Sequence, residues 1–355
     1  MKKILFIVPL YPNRSPSQRF RFEQYLNHFR SNGYDYDISY LINPKTDKDF
    51  YSKGKLIKKL WLLVQFIFIR FKDLSRAGKY DIIFIQREAF FLGTAFFEKR
   101  LSKKKAKLIF DFDDSIWLSN VSSANKNLLW LKNQGKTAKI ISYADLVIAG
   151  NNYLANYARQ FATNVTVIPT TIDTHEYQPK HEKQNQKCIC IGWSGSITTI
   201  EHFNLAIPFL KKIKEKYGNK VCFKVIGDAS FHNEELDITG QSWNKTTEIG
   251  DLQGFDIGIM PLPDSEWAKG KCGLKGLQYM ALEIPTLMAP VGVNTEIIED
   301  GVNGFLPSGT DEWVEKLSLL IENDNLRQSI GKNGRDTVIQ SYSSVAAQAT
   351  YHIAT

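Results

Sequence analysis

The 355-residue sequence lacks any apolar run long enough to cross a bilayer as a helix. Its longest candidate, Leu60–Phe71, falls well short of the required length, which excludes a bundle of membrane spans. Cysteine is scarce: Cys188, Cys190, Cys222 and Cys272 stand without zinc-type spacing. Cys188 and Cys190 alternate in one apolar strand and point to one face, too close along the chain for an ordinary bridge. All four therefore read as reduced core thiols of a cytosolic protein. No small-residue cleavage site follows the opening MKKILFIVPLYPN, and Pro12-Asn13-Arg14 interrupts it. That run reads as a first buried strand rather than a signal peptide. No short repeat period appears, and no nucleic-acid reader motif is present. What remains is ordinary globular composition, 43% hydrophobic and 23% charged, in a length that predicts two domains.

The net charge of +8 is unevenly spread. Residues 1–175 hold 28 Lys and Arg against 14 Asp and Glu, a net +14, whereas the remainder carries −6. A basic first half joined to a mildly acidic second half points to an anionic partner for the first half only. Strands are expected at Ile4–Val8, Asp37–Ile42, Asp81–Gln86, Lys107–Asp111, Asp145–Ala149 and Val165–Pro169, with Pro9 ending the first. Continuous apolar runs such as Ile82-Ile83-Phe84-Ile85 read as strands buried on both faces, hence a parallel sheet covered by helices. Thr174–Lys187 is polar, contains Pro179 and reads as a linker. A second alternation follows: strand Cys188–Trp193, helix His202–Tyr217, strands Val221–Ile226 and Phe255–Pro261, helix Gly273–Leu282 and strand Pro285–Ala289. Two α/β domains are thus expected, 1–175 and 176–340, with 341–355 forming a helix that packs back on the first.

After the strand at Cys190, Gly192-Trp193-Ser194-Gly195-Ser196 places glycines and hydroxyls ahead of a helix, and Thr198 and Thr199 add two hydroxyls. In an open α/β sheet, ligands bind beyond the carboxyl ends of strands, and a helix N-terminus attracts phosphate. Downstream, Lys269-Gly270-Lys271-Cys272-Gly273-Leu274-Lys275-Gly276-Leu277-Gln278-Tyr279-Met280-Ala281-Leu282 leads into Ile284-Pro285-Thr286-Leu287. Pro290-Val291-Gly292-Val293-Asn294-Thr295-Glu296-Ile297-Ile298 and Asp300-Gly301-Val302-Asn303-Gly304-Phe305-Leu306 come next. This succession resembles the donor-binding region of the retaining family-four glycosyltransferases, the glycosyl transferases group 1. In the first half, Ala144–Asn151, Val167–Asp173, Gln86-Arg87-Glu88 and Asp111–Trp117 resemble the same family. The resemblance implies a GT-B fold: α/β, two Rossmann-like doubly wound parallel-sheet domains facing a central cleft. It also implies transfer of a sugar, with retention, from a nucleoside diphosphate sugar, UDP- or GDP-linked, to a glycan or lipid-linked acceptor. Cell-surface polysaccharide or glycolipid synthesis is the implied setting.

The departures from the family pattern shape the site expected here. The family's second glutamate is replaced by Gln278, and Gly270 stands eight residues before it. No arginine follows Gly192, so Lys271 and Lys275, four apart on one helix face, are the expected diphosphate cations. The donor set is then Gly192, Ser194, Gly195, Ser196, Lys271, Lys275, Leu277, Gln278 and Glu296. Glu283 stands where the family has a helix-ending glycine, which predicts modest strain if the left-handed conformation is kept.

Asp111, Asp113 and Asp114 end a buried strand. Their D-x-D spacing is that of the metal-binding motif in the other glycosyltransferase architecture. With the donor motifs in the second half, no metal and no further cofactor is expected. Asp113 and Asp114 either act at the reacting sugar and acceptor or cap the next helix. Arg14, Ser17, Arg19, Arg21 and Arg87 are expected on the acceptor or phosphate side. The basic, apolar segment 53–79 reads either as an interfacial helix on anionic lipid or as a buried helix of the first domain. The first reading makes the protein peripheral on the inner face of the membrane. A nucleotide-sugar epimerase or hydrolase of the same fold, and a catalytically inactive membrane-associated binding protein, are the alternatives. No nucleic-acid partner is expected.

Overall fold

Ile4–Val8 and Ile82–Ile85 are all buried, because both faces of the strands they form are covered. The computed structural model describes residues 1–52, 54–118, 135–180 and 188–354. It divides into Met1–Pro169 with Gln348–Thr355, and Thr170–Ala347.

In the first unit, β1 (Lys2–Leu10), β2 (Tyr34–Ile42), β3 (Ile82–Gln86), β4 (Lys107–Phe112), β5 (Leu146–Ala149) and β6 (Val165–Val167) form one sheet in the order β2-β1-β3-β4-β5-β6. All its pairings are parallel. The order reverses at β1, with β2 on one side and β3 on the other, so their carboxyl ends mark a topological switch point. β1 continues past Pro9 to Leu10, against the expected end. Its pairing with β3 stops at Ile7, so the missing proline N–H removes no bond on that side. Phe6 stacks on Phe22 at 4.7 Å and meets Phe84 at 5.2 Å, which ties the first helical segment to the sheet. Tyr351 of the C-terminal helix Ser344–Ala354 is buried in this unit, 4.4 Å from the Tyr25 ring, and donates a hydrogen bond to the Arg21 carbonyl.

The second unit holds β7 (Ile189–Ser194), β8 (Val221–Ile226), a short hairpin of β9 (His232–Asn233) and β10 (Ile238–Thr239), β11 (Ile257–Met260) and β12 (Thr286–Met288). The four longer strands are parallel in the order β12-β11-β7-β8, so the reversal falls at β7. Residues 174–180 of the expected linker belong to this unit, and Tyr177 is buried there; 181–187 lie outside the described residues. The single helix expected over 202–217 is two, Ile200–Asn204 and Ile207–Tyr217. Pro208 sits in the first turn of the second, where a missing N–H is tolerated. Glu283 does adopt the left-handed conformation, at φ 59°.

The cysteines differ from expectation. Cys188 is bridged to Cys222 of the neighbouring β8, with Cα atoms 5.9 Å apart; the partner lies across the sheet rather than along the strand. Cys190 and Cys272 are free and buried. No helix among the described residues is long and apolar enough to cross a membrane.

Candidate active site

At the carboxyl ends of β1, β3 and β4 a polar cluster forms around two arginines. Arg21 and Asp111 are both fully buried and paired, the Arg21 Nε lying 3.1 and 3.2 Å from the two carboxylate oxygens. Arg21 Nη1 donates to the Ile168 carbonyl. Arg87 follows β3 with φ 64°, an unusual conformation for a non-glycine residue, and its amide donates to the Asp111 carbonyl at 2.8 Å. Its guanidinium meets Asp113 at 3.0 Å through Nε and Asp114 through Nη2. Asp113 also accepts from Ser17 Oγ at 2.7 Å, and Gln86 Nε2 donates to that hydroxyl at 2.6 Å. Burial opposes ionisation of Asp113, but Arg87, the Ser17 hydrogen bond and Arg21 outweigh it, and its pKa lies below the usual carboxylate value. At neutral pH it is a charged acceptor, suited to holding a hydroxyl rather than to giving up a proton.

The second cluster lies at the carboxyl end of β7. Lys275 belongs to the helix Leu274–Ala281, and its ammonium sits 4.7 Å from the centre of the Trp193 ring. Lys271 precedes that helix and lies over Trp267 at 5.1 Å. The expectation of one shared helix face is therefore corrected: Gly273, at φ 69°, opens the helix after Lys271. A Cβ at Gly273 would lie 2.3 Å from Ile297 Cδ1, so the turn is also held tight against its neighbour.

His202 joins this cluster. Its side chain is buried, Nδ1 has no hydrogen-bond partner, and the same is true of Trp193 Nε1. Burial, then the charges of Lys275 and Lys271, lower the His202 pKa to about 4. The unfolded chain takes up this proton near 6.5 and the folded one near 4, so stability falls as pH drops through that window. Between pH 7 and pH 5 the wild type is expected to lose about 1 kcal/mol more than His202→Gln, allowing for partial solvent screening. Urea unfolding at the two pH values measures the difference.

The loop after β7 is less open than its composition implies. Ser194 N–H donates to Tyr279 Oη at 2.7 Å, Gly195 N–H to the Ile226 carbonyl at 2.8 Å, and Ser196 N–H to Thr199 Oγ1 at 2.9 Å. These amides already have protein partners, so the loop does not present a row of N–H groups as its composition suggests. Gly195 is required for fit: a Cβ there would come within 2.1 Å of the Trp193 ring.

Three of the donor residues expected from sequence occupy the core instead. A Cβ at Gly192 would lie 2.1 Å from the Phe255 ring, so that glycine makes room for packing. Leu277 is fully buried. Gln278 is buried too, its amide donating to Tyr177 Oη at 2.9 Å and to Glu248 Oε1 at 3.2 Å. Glu248 also accepts from Tyr177 Oη and Trp243 Nε1. Glu296 is exposed on the helix Asn294–Ile297.

On the acceptor side, Arg21 is corrected likewise, because its buried guanidinium is spent on Asp111. Arg14 pairs with Asp47 at 2.9 Å. Arg19 lies over the Phe20 ring at 5.0 Å. Neither Asp113 nor Asp114 caps a described helix; residues 119–134 lie outside the described part. Sequence reading missed His202 and Trp193 as site residues, and missed Glu248 and Tyr177 altogether. A polar residue at 202 following Thr198-Thr199 was the one available signal. No group of three or more metal-ligating side chains occurs among the described residues.

Residues 252–337, which contain Lys271, Lys275 and Glu296, match the family described as Glycosyl transferases group 1. The match covers the stretch that carries both lysines of the second cluster. The chain is 26% identical over 183 residues to the capsular polysaccharide biosynthesis glycosyltransferase CapM of Staphylococcus aureus, covering 49% of the chain and 47% of CapM. It is 27% identical over 124 residues to an uncharacterized glycosyltransferase of Methanocaldococcus jannaschii, covering 32% of the chain and 34% of that protein. The chain thus spans about half the length of the first of these relatives and about a third of the second. Its fold is similar to that of the HepE protein of Anabaena in complex with UDP and glucose, with a TM-score of 0.68, 14% identity and all of both chains covered. That likeness is one of architecture, the GT-B fold.

Proposed function

We propose that the protein transfers a sugar, with retention, from a nucleoside diphosphate sugar to a glycan or lipid-linked acceptor, in the synthesis of a surface polysaccharide or glycolipid. The observation that carries this reading is the cationic cluster of Lys271 and Lys275 around His202 and Trp193, within a group 1 domain and at a switch point of its sheet. When the bond between the anomeric carbon and the diphosphate oxygen breaks, negative charge grows on the leaving group. Cations held nearby stabilise that charge more in the transition state than in the substrate. UDP is the first base to test, since HepE was solved with UDP and glucose. The Ser17–Asp113–Arg87 cluster supplies an ionised acceptor for a substrate hydroxyl, and no metal is required by this scheme.

A thermal-shift panel of UDP-, GDP-, ADP- and CMP-sugars tests the reading. One donor class at a hundred times its Kd is expected to stabilise the fold by about 2.7 kcal/mol, while the others leave it unmoved. Product analysis then separates transfer from epimerised or hydrolysed sugar, and the anomeric configuration of the product tests retention. If no nucleotide stabilises the protein, the proposal is abandoned.

A further inference from the structure

The helix Leu56–Arg76 is turned the wrong way round for a solvent-exposed element. Its inward face carries Leu62, Phe66, Arg70 and Asp73, all buried. Its outward face carries Ile57, Leu60, Trp61, Phe68 and Phe71, which are 87%, 64%, 62%, 69% and 49% exposed. Those residues recur at helical spacing and form a stripe on the side opposite Phe66. The helix cannot roll to hide them. Arg70 Nη2 donates to the Val8 carbonyl at 2.8 Å, Nε donates to the Ala89 carbonyl, and Nη1 reaches both Asp73 at 2.8 Å and Ser39 Oγ at 3.0 Å. Turning the stripe inward would carry this buried guanidinium into solvent and strip Asp73 of its partner, a change that costs far more than the stripe gains.

The surroundings say what covers the stripe. Phe71 continues into Phe96, 6.2 Å away on the helix Phe96–Leu101, and Arg100 lies 5.1 Å over that ring. Beyond it come Lys103-Lys104-Lys105, all exposed. Asp73 is the one acid in Leu56–Arg76 and Glu98 the one acid in residues 96–105; both are buried. The exposed charges of the two helices are therefore all positive, beside a row of apolar rings and branches. A protein partner would be met by a mixed-charge rim, whereas apolar anchors beside cations fit acyl chains beneath anionic headgroups.

We propose that this face docks on an anionic lipid bilayer, with Ile57, Leu60, Trp61, Phe68 and Phe71 entering the interface and the lysines meeting the headgroups. The docking stands on the first unit alone and does not depend on the glycosyl-transfer reading. Co-sedimentation of the full chain with phosphatidylcholine vesicles, with and without phosphatidylglycerol, is the test. Binding is expected to be at least about tenfold tighter to the anionic vesicles and to weaken as salt rises.

Phe68→Glu is expected to reduce partitioning about tenfold or more, by removing apolar area and adding a like charge to the lipid. A triple Lys103, Lys104, Lys105→Gln variant loses the preference for anionic lipid but keeps a residual attraction. Both changes lie on the surface, so melting temperature and the donor-panel response should match the wild type. An absence of vesicle binding, or binding indifferent to Phe68→Glu, overturns the proposal. So does a wild-type dimer in light scattering that Phe68→Glu dissociates, since a second copy would then cover the stripe. A vesicle-binding protein that ignores every nucleotide sugar would leave the docking standing and remove the transferase reading instead.

Discussion

Asp111→Ala is expected to destabilise the first unit by about 3–5 kcal/mol, because it strands the Arg21 guanidinium in a fully buried site. The wild-type geometry explains the size. Arg21 spends two nitrogens on Asp111 and a third on the Ile168 carbonyl, and neither side chain of the pair reaches solvent. Once the carboxylate is gone, the guanidinium keeps the Ile168 carbonyl but loses the carboxylate it is paired with in a fully buried site. The melting temperature should drop by about 10 °C, on the usual scaling for domains of this size. Asp111→Asn keeps the volume and an oxygen acceptor, so its loss should be smaller. A double variant, Arg21→Met with Asp111→Leu, removes both charges and should recover most of the stability, since a buried pair is often replaceable by apolar groups. If Asp111→Ala melts with the wild type, the pair is not what holds this end of the sheet.

Lys275→Ala is expected to lower the rate of sugar transfer about 100-fold or more, with a smaller effect on the melting temperature. The ammonium lies against Trp193 at 4.7 Å and, after burial, contributes to the depressed pKa of His202, so its field acts on a side chain largely removed from solvent. An interaction that grows as the leaving group gains charge appears in kcat, and one felt equally by bound substrate appears in KM. A loss in kcat together with a weakened nucleotide shift would place Lys275 at the diphosphate. Unchanged nucleotide affinity in Lys275→Ala would remove it from that role. Lys275→Arg keeps charge but not shape, and partial recovery would separate charge from geometry.

Much of the scaffold could be read in advance because apolar runs and glycine turns are local signals. Ile82–Ile85 reads as a strand buried on both faces, and it is one. Lys271 and Lys275 were legible as cations beside glycines. Their joining through a left-handed turn at Gly273 was not, since helical spacing was the simpler inference from a separation of four. Gly192, Leu277 and Gln278 were assigned to the ligand from a motif whose register along the chain does not tell which face each residue takes. Packing decided that: Phe255 lies over Gly192, and Tyr177 and Glu248 draw Gln278 inward. Arg21 failed for a related reason, because a buried arginine is unexpected until its aspartate, 90 residues away, is placed beside it. The Cys188–Cys222 bridge was hidden likewise, its two cysteines standing 34 residues apart along the chain.

Because the amides of Ser194, Gly195 and Ser196 are committed to Tyr279, Ile226 and Thr199, the donor site proposed above would meet an anion with flexible ammonium groups instead of a rigid row of N–H vectors. Such a grip imposes little directional demand, so phosphates of differing torsion can be held with similar strength. Its cost is sensitivity to the medium: dissolved ions compete for the same lysines, and occupancy should decline in brine where a backbone cradle would persist.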